Sequence, residues 1–135
     1  MYVSAAQYSE QYYQRALRVR SLIRSDFDAA FDPEGAHKVD ALLTATTPTT
    51  AFKAGDVYGD SVLMQYADQL TVPANHAGVP AISMPGGLDA GGLPIGVQLI
   101  GPDFTEASLL RMARAYEMAT EGETWRRERP RVLAG

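Results

Sequence analysis

The sequence predicts an α/β protein with a mixed β-sheet covered by helices, in the order α-β-α-β-β-α. Three observations carry that expectation. Both ends of the chain hold apolar residues at intervals of three and four, the spacing of a helix packed along one stripe. Three short apolar runs, at 39–45, 81–84 and 94–100, lie between Pro or Gly breakers, as buried strands do. A shorter helical pattern separates the first run from the second. With 135 residues, the chain makes one domain, and about two-thirds of its unfolded surface can be buried.

The first helix is expected over residues 4–31. Ser4 and Gln7 have the spacing of a capping box. Tyr8, Tyr12, Ala16, Val19, Ile23, Phe27 and Phe31 follow on one stripe, read as core packing. Arg15, Arg18, Arg20 and Arg24 fall mostly on the other faces and read as a solvated surface. At ~1.5 Å per residue such a helix is about 40 Å long, a length suited to a larger body. Asp32, Pro33, Glu34 and Gly35 stop it. The run 39–45 (VDALLTA) reads as a buried strand of a parallel sheet, with both faces covered. Pro48 cannot donate to a ladder, so Thr46-Thr47-Pro48-Thr49-Thr50 is a loop. It is either a structural turn or, since α/β enzymes place binding groups after strands, part of a site.

Asp60 or Ser61 caps a second helix carrying Val62, Leu63, Tyr66 and Leu70, which ends or kinks at Pro73. Asn75, His76 and Gly78 follow, and Pro80 ends that unit. Ala81-Ile82-Ser83-Met84 is the second strand, closed by Pro85-Gly86-Gly87. Residues 88–93 (LDAGGL) are a turn, because Asp and paired Gly accept positive φ. Residues 94–100 (PIGVQLI) are the third strand, with Ile95, Val97 and Leu99 on one face and Gly96 and Gln98 on the other. Gly96 inside a strand marks the close approach of another backbone. The last helix starts near Asp103 or Thr105, where Asp103 and Glu106 have capping-box spacing. Its stripe is Leu109, Met112, Ala113, Tyr116 and Ala119, and Gly122 stops it. Residues 125–131 (WRRERPR) form a basic tail, either a terminus whose Trp125 packs back on the body or a binding element.

Composition narrows the function. Apolar residues at 46% and charged residues at 21% are those of a folded domain and not of a disordered chain. A net charge of −4 supplies no positive field for direct nucleic-acid binding. The absence of cysteine excludes disulfides and thiolate metal sites and fits a reducing compartment. No apolar run approaches the ~20 residues of a membrane span. The polar, tyrosine-rich start lacks the pattern of a signal peptide, so a cytoplasmic location without a membrane is expected.

Few residues advertise chemistry. Gly86, Gly87, Gly91 and Gly92 lack the spacing and following lysine of a phosphate loop. No serine sits in a nucleophile elbow. His37 and His76 are isolated, with no partner in metal-ligand spacing. Lys38 and Lys53 lie in polar stretches, not in the desolvated setting a lysine base requires. Asp68 differs, being flanked by apolar residues just before a proline-bent segment. It is either an ordinary exposed acid or a carboxylate aimed into a cleft to hold a substrate ammonium group.

Several long stretches carry a family resemblance. Residues 71–85 (TVPANHAGVPAISMP) and 91–101 (GGLPIGVQLIG), with 109–117 (LLRMARAYE), resemble the C-terminal portion of the amidase-signature family. Two further stretches resemble one branch of it, the A subunits of glutamyl-tRNA(Gln) and aspartyl-tRNA(Asn) amidotransferases. These are Tyr12-Tyr13, Val19-Arg20, Leu22-Ile23 and Asp26-Phe27 on the first helix, and residues 46–52 (TTPTTAF). The resemblance spans nearly all of the chain. It departs at Ala45, where proline is common, and at Gln7 and Ser9, where Gly and Tyr are.

The resemblance implies that residues 1–135 are the C-terminal part of a single amidase-signature domain. It implies a Ser–cis-Ser–Lys triad, in which one serine attacks an amide carbon, the lysine acts through the second serine, and loop amides hold the oxyanion. That triad lies upstream of the matched region, as does an arginine that clamps the glutamine carboxylate. No catalytic residue is therefore expected in this chain, and alone it is expected to be inactive. What carries over is Asp68, matching the acid that holds the glutamine α-ammonium, with Thr46, Thr47 and Thr49 lining the same cleft. Implied partners are the missing N-terminal half, the B and C subunits, glutamine as amide donor and charged tRNA through the complex. No cofactor is implied here, since ATP and magnesium belong to the B subunit. A non-catalytic remnant or scaffold, and the C-terminal part of another small-molecule amidase, are the competing readings.

Overall fold

A computed structural model describes residues 10–36, 38–56 and 59–128. The expected cap at Ser4 and Gln7, with Tyr8, Ser9, His37, the tail residues 129–131 and the side chain of Leu63, lies outside the described residues. The elements are α1 (Glu10–Phe31), β1 (Leu42–Ala45), α2 (Ser61–Ala67), α3 (Val72–Ala77), β2 (Ala81–Leu88), β3 (Pro94–Ile100) and α4 (Glu106–Ala119), then a 3-10 turn over Thr124–Arg127.

The three strands form one sheet in the order β1-β3-β2. The hairpin of β2 and β3 is antiparallel as expected, with Ile82 opposite Leu99 and Ser83 opposite Gln98. β1 corrects the expectation of a parallel strand. It pairs antiparallel with β3, Leu42 opposite Ile100 and Ala45 opposite Val97. Nor are both its faces covered, because Leu43 is 68% exposed. An apolar run this short fixes neither two-sided burial nor pairing direction, which depends on a partner more than fifty residues away. β2 is also longer than expected. The ladder continues through Pro85-Gly86-Gly87 across a register shift between Pro85 and Gly87. Pro85 is tolerated because β2 is an edge strand of this sheet.

The expected second helix is two. Asp60 caps α2, its Oδ1 accepting from the Val62 amide at 2.9 Å. The chain then turns, and Pro73 sits in the first turn of α3. The missing N–H that would end one helix costs nothing at the start of the next. Gly78 closes α3 at φ 77°, the left-handed cap that a residue without Cβ takes at no steric cost.

Ala74, Ala77, Val79 and Ile100 form the core, with Ile23, Phe27, Phe31 and Leu42 packed against it. Only the second half of the α1 stripe is used in this way. Tyr12 and Val19 are 61% and 50% exposed, which corrects the expectation of a continuously buried stripe. Two of the arginines read as solvated are also engaged. Arg20 Nε donates to His76 O at 2.8 Å. Arg24 donates to Ala77 O at 3.2 Å, to Asp28 at 2.8 Å, and to both oxygens of Asp103 at 3.1 and 2.6 Å. They cap the C-terminal carbonyls of α3 and fasten it to α1. Because Arg24 occupies Asp103, the capping box expected with Glu106 is not made, and the residue preceding α4 is Thr105. α4 packs on β2 and β3 with Leu109 and Ala113 buried. The 3-10 turn holds a half-buried Trp125 and packs against β2, and Arg126 stacks on the Trp125 and Tyr116 rings.

Candidate functional site

The threonine loop leaves β1 at Ala45 and crosses the β2–β3 hairpin. Thr46 continues the sheet by one rung, its amide donating to Gly96 O at 2.9 Å. Its Oγ1 lies 2.8 Å from Ser83 Oγ. A Cβ on residue 96 would meet that Oγ1 at 3.0 Å, so what approaches Gly96 closely is the Thr46 side chain and not, as expected, another backbone. Thr47 Oγ1 turns back on the loop, donating to Thr49 O at 2.8 Å. Thr49 is exposed. Thr50 Oγ1 donates to Asp89 Oδ2 at 2.7 Å.

Asp89 organises the hairpin turn from the other side. Its Oδ1 accepts from the amides of Gly91 and Leu93 at 2.8 and 2.9 Å. The Leu93 amide, then the Thr50 hydroxyl, hold its carboxyl below the usual range, since both donate to the charged form. The loop is therefore fixed at its start by Gly96 and Ser83 and at its end by Asp89.

Asp68 stands on the turn between α2 and α3. Its backbone carbonyl closes that turn, accepting from the amides of Thr71 and Val72 at 3.0 Å each and from Thr71 Oγ1 at 3.1 Å. Its side chain is exposed, and no ion pair to a described residue holds it. A carboxylate left open on a hydrogen-bonded turn is chemically suited to receive a cationic group.

Gln98 joins the two segments. It is a buried polar residue, 3% exposed on the central strand. Its Nε2 donates to Ala45 O at 3.2 Å and to Leu70 O at 2.8 Å. One carbonyl immediately precedes the threonine loop, and the other lies two residues after Asp68. The sequence placed Gln98 on the Gly96 face without assigning it a role. A polar side chain amid the apolar residues of a central strand was the available signal, since such a group must find partners when buried. Asp89 is legible in the sequence as a turn former, and its place before paired glycines suits an Asx turn.

The remaining titratable candidates do not join this arrangement. His76 Nδ1 donates to Val72 O within α3 at 2.9 Å, and Lys38 and Lys53 are exposed. Among the described residues no three His, Cys, Asp or Glu side chains are grouped to hold a metal. An open groove of about 580 Å3 lined by Arg24, Phe31, Val79 and Asp103 shares no residue with the threonine loop or the Asp68 turn. No helix among the described residues is long and apolar enough to cross a membrane.

A family model described as amidase matches residues 1–110. The chain belongs to the amidase family. Its sequence is 55% identical over 118 residues to a protein named as the A subunit of glutamyl-tRNA(Gln) amidotransferase from Prochlorococcus marinus (strain MIT 9313), covering 87% of this chain and 23% of that one. Among solved structures it is similar to the glutamyl-tRNA(Gln) amidotransferase A subunit of Thermotoga maritima, with a TM-score of 0.71 and 41% identity over 80% of this chain. It is also similar to the native peptide amidase of Stenotrophomonas maltophilia, with a TM-score of 0.65 and 29% identity over 87% of this chain. Each match covers 22% of the solved chain. The chain thus spans about a quarter of the length of the amidase-family proteins it matches.

Proposed function

We propose that this chain is the C-terminal part of the glutaminase subunit of a tRNA-dependent amidotransferase, and that it supplies half of the glutamine site. The observation that carries the reading is the open Asp68 carboxylate on a turn bonded, through Gln98, to the threonine loop. Relatives named as A subunits of glutamyl-tRNA(Gln) amidotransferase support the choice of branch. Asp68 holds the α-ammonium of glutamine, and Thr46, Thr47 and Thr49 line the cleft beside it. The carboxamide then lies toward the upstream portion of the domain, which supplies the reacting groups. There a serine oxygen bonds to the amide carbon, the C–N bond breaks, and nitrogen leaves as ammonia with a proton relayed from the lysine side. Water then releases glutamate. The ammonia serves the B subunit, which uses ATP and magnesium to convert Glu-tRNA(Gln) to Gln-tRNA(Gln) in the cytoplasm, with a C subunit bound to the pair. Asp-tRNA(Asn) is the other substrate of this class.

The test is glutaminase activity of the purified chain, alone and mixed with the upstream segment expressed separately. The expected result is no activity alone and activity after mixing, with Asp68→Ala raising KM for glutamine about tenfold or more, as loss of a charge-assisted hydrogen bond does. Turnover by the chain alone would overturn the assignment of the reacting groups upstream. The likeness to a peptide amidase favours a second reading, an amidase acting on another carboxamide. In that case the mixture hydrolyses a carboxamide lacking an α-ammonium as well as it does glutamine, and Asp68→Ala leaves both rates unchanged.

A further inference from the structure

We infer that Gln98 is a positioning residue that sets the separation between the threonine loop and the Asp68 turn, so that the two halves of the site respond as one unit. The inference rests on the reading that both segments face glutamine. Its basis is a single buried amide group. Gln98 is 3% exposed, and both of its Nε2 hydrogens are committed, one to Ala45 O at 3.2 Å and one to Leu70 O at 2.8 Å. Ala45 ends β1, and Leu70 lies in the turn that follows α2. These segments are 25 residues apart in sequence, and neither is paired to the other in the sheet. The planar NH2 group fixes the angle between its two acceptors as well as the distance.

The remaining contacts of each segment act separately. Thr46 is held by Gly96 and Ser83, and Thr50 by Asp89. The Asp68 turn is closed by its own bonds to Thr71 and Val72. Removing the Gln98 donors therefore takes away the tie between the two segments, and each, held by its own bonds alone, opens more readily. It also leaves two carbonyls without their donor. A substrate that must touch both segments then meets a site whose halves drift. Misplacement of that kind weakens binding of the group that spans them and leaves the reacting centre upstream unaltered.

The experiment compares Gln98→Met, which keeps the volume and cannot donate, with Gln98→Glu, which keeps the shape and accepts where glutamine donates. Asp89→Asn, which loosens only the Thr50 end of the loop, is the reference. Amide hydrogen exchange is followed on the full chain at Thr46, Thr47, Thr49 and Thr50 and at Thr71 and Val72. Both Gln98 variants are expected to speed exchange in the two segments together, and Asp89→Asn in the loop alone. L-glutamine hydrolysis is then measured after mixing with the upstream segment. Gln98→Met is expected to raise KM about tenfold with kcat changed less than about threefold. A purely structural role would instead lower the active fraction, reducing apparent kcat at constant KM, and that result overturns the inference. Wild-type behaviour of Gln98→Glu overturns it as well. Should the unaltered chain support no glutamine hydrolysis, the functional reading has failed. The exchange data then decide the linkage alone, and acceleration confined to one segment refutes it.

Discussion

At Gly96 the structure is tight for a side chain. A Cβ there would lie 3.0 Å from Thr46 Oγ1 and 3.1 Å from Thr46 Cβ. Gly96→Ala is expected to displace Thr46, break its bond to Ser83 and destabilise the fold by about 1–3 kcal/mol. Urea unfolding measures this, and an unchanged midpoint would show that the loop gives way freely. Two carboxylates should set the acid limit of stability. Asp89 is held below its usual range by the Leu93 amide and the Thr50 hydroxyl, and Asp103 by its hydrogen bonds from Arg24. In the unfolded chain both protonate near ~3.9. Between the folded and unfolded values the unfolded chain binds more protons, so stability is full above that range and falls as pH drops through it. The thermal midpoint should therefore be flat above about pH 5 and decline below about pH 4. Asp89→Asn and Asp103→Asn should each flatten that decline. Added salt should weaken the Arg24–Asp103 part, since both side chains are partly exposed and screened. The role of Asp89 was half legible. Its turn could be read from Asp-Ala-Gly-Gly, but its bond to Thr50 joins residues 39 apart in sequence.

The elements show the same division between local and distant causes. The start of α2 at Asp60, the breakers after α1 and the hairpin of β2 and β3 all follow from short-range sequence signals, and all are present. The division between α2 and α3 is not legible in the local sequence, because proline has one steric property with two outcomes. It ends a helix when it falls inside and opens one when it falls in the first turn. Pro73→Ala is accordingly expected to cost less than about 1 kcal/mol, through unfolded-state entropy alone. Gly78→Ala forces a Cβ into φ 77° and is expected to cost about 1–2 kcal/mol. Circular dichroism melts of the two variants test the contrast, and a larger loss from Pro73→Ala would mean that α3 is not organised as described.

For the whole molecule, the exposure of large apolar side chains is the main physical fact. Leu22 is 66% exposed, Leu43 68% and Tyr12 61%, and β1 and β2 are both edge strands of the sheet. Apolar patches beside open edges promote association. Static light scattering is expected to show a mass that grows with concentration. The upstream segment should suppress this and raise the melting temperature, by binding the folded state. A concentration-independent monomer with no thermal response to that segment would refute the prediction.

Residue order alone was enough for the α/β class, the succession of strands along the chain, the hairpin, the stripe of α4 from Leu109 to Tyr116 and the family to which the chain belongs. These follow from period, breakers and motif, all of which act over a few residues. Packing in three dimensions was needed for the antiparallel pairing of β1, the two-part division around Pro73 and the recruitment of Arg20 and Arg24 to the end of α3. It also decided the placement of Gln98 between the threonine loop and Asp68. Each of these depends on which polar groups meet when distant segments pack. A buried donor takes the acceptors that the fold brings within about 3 Å of it, and their sequence separation does not enter.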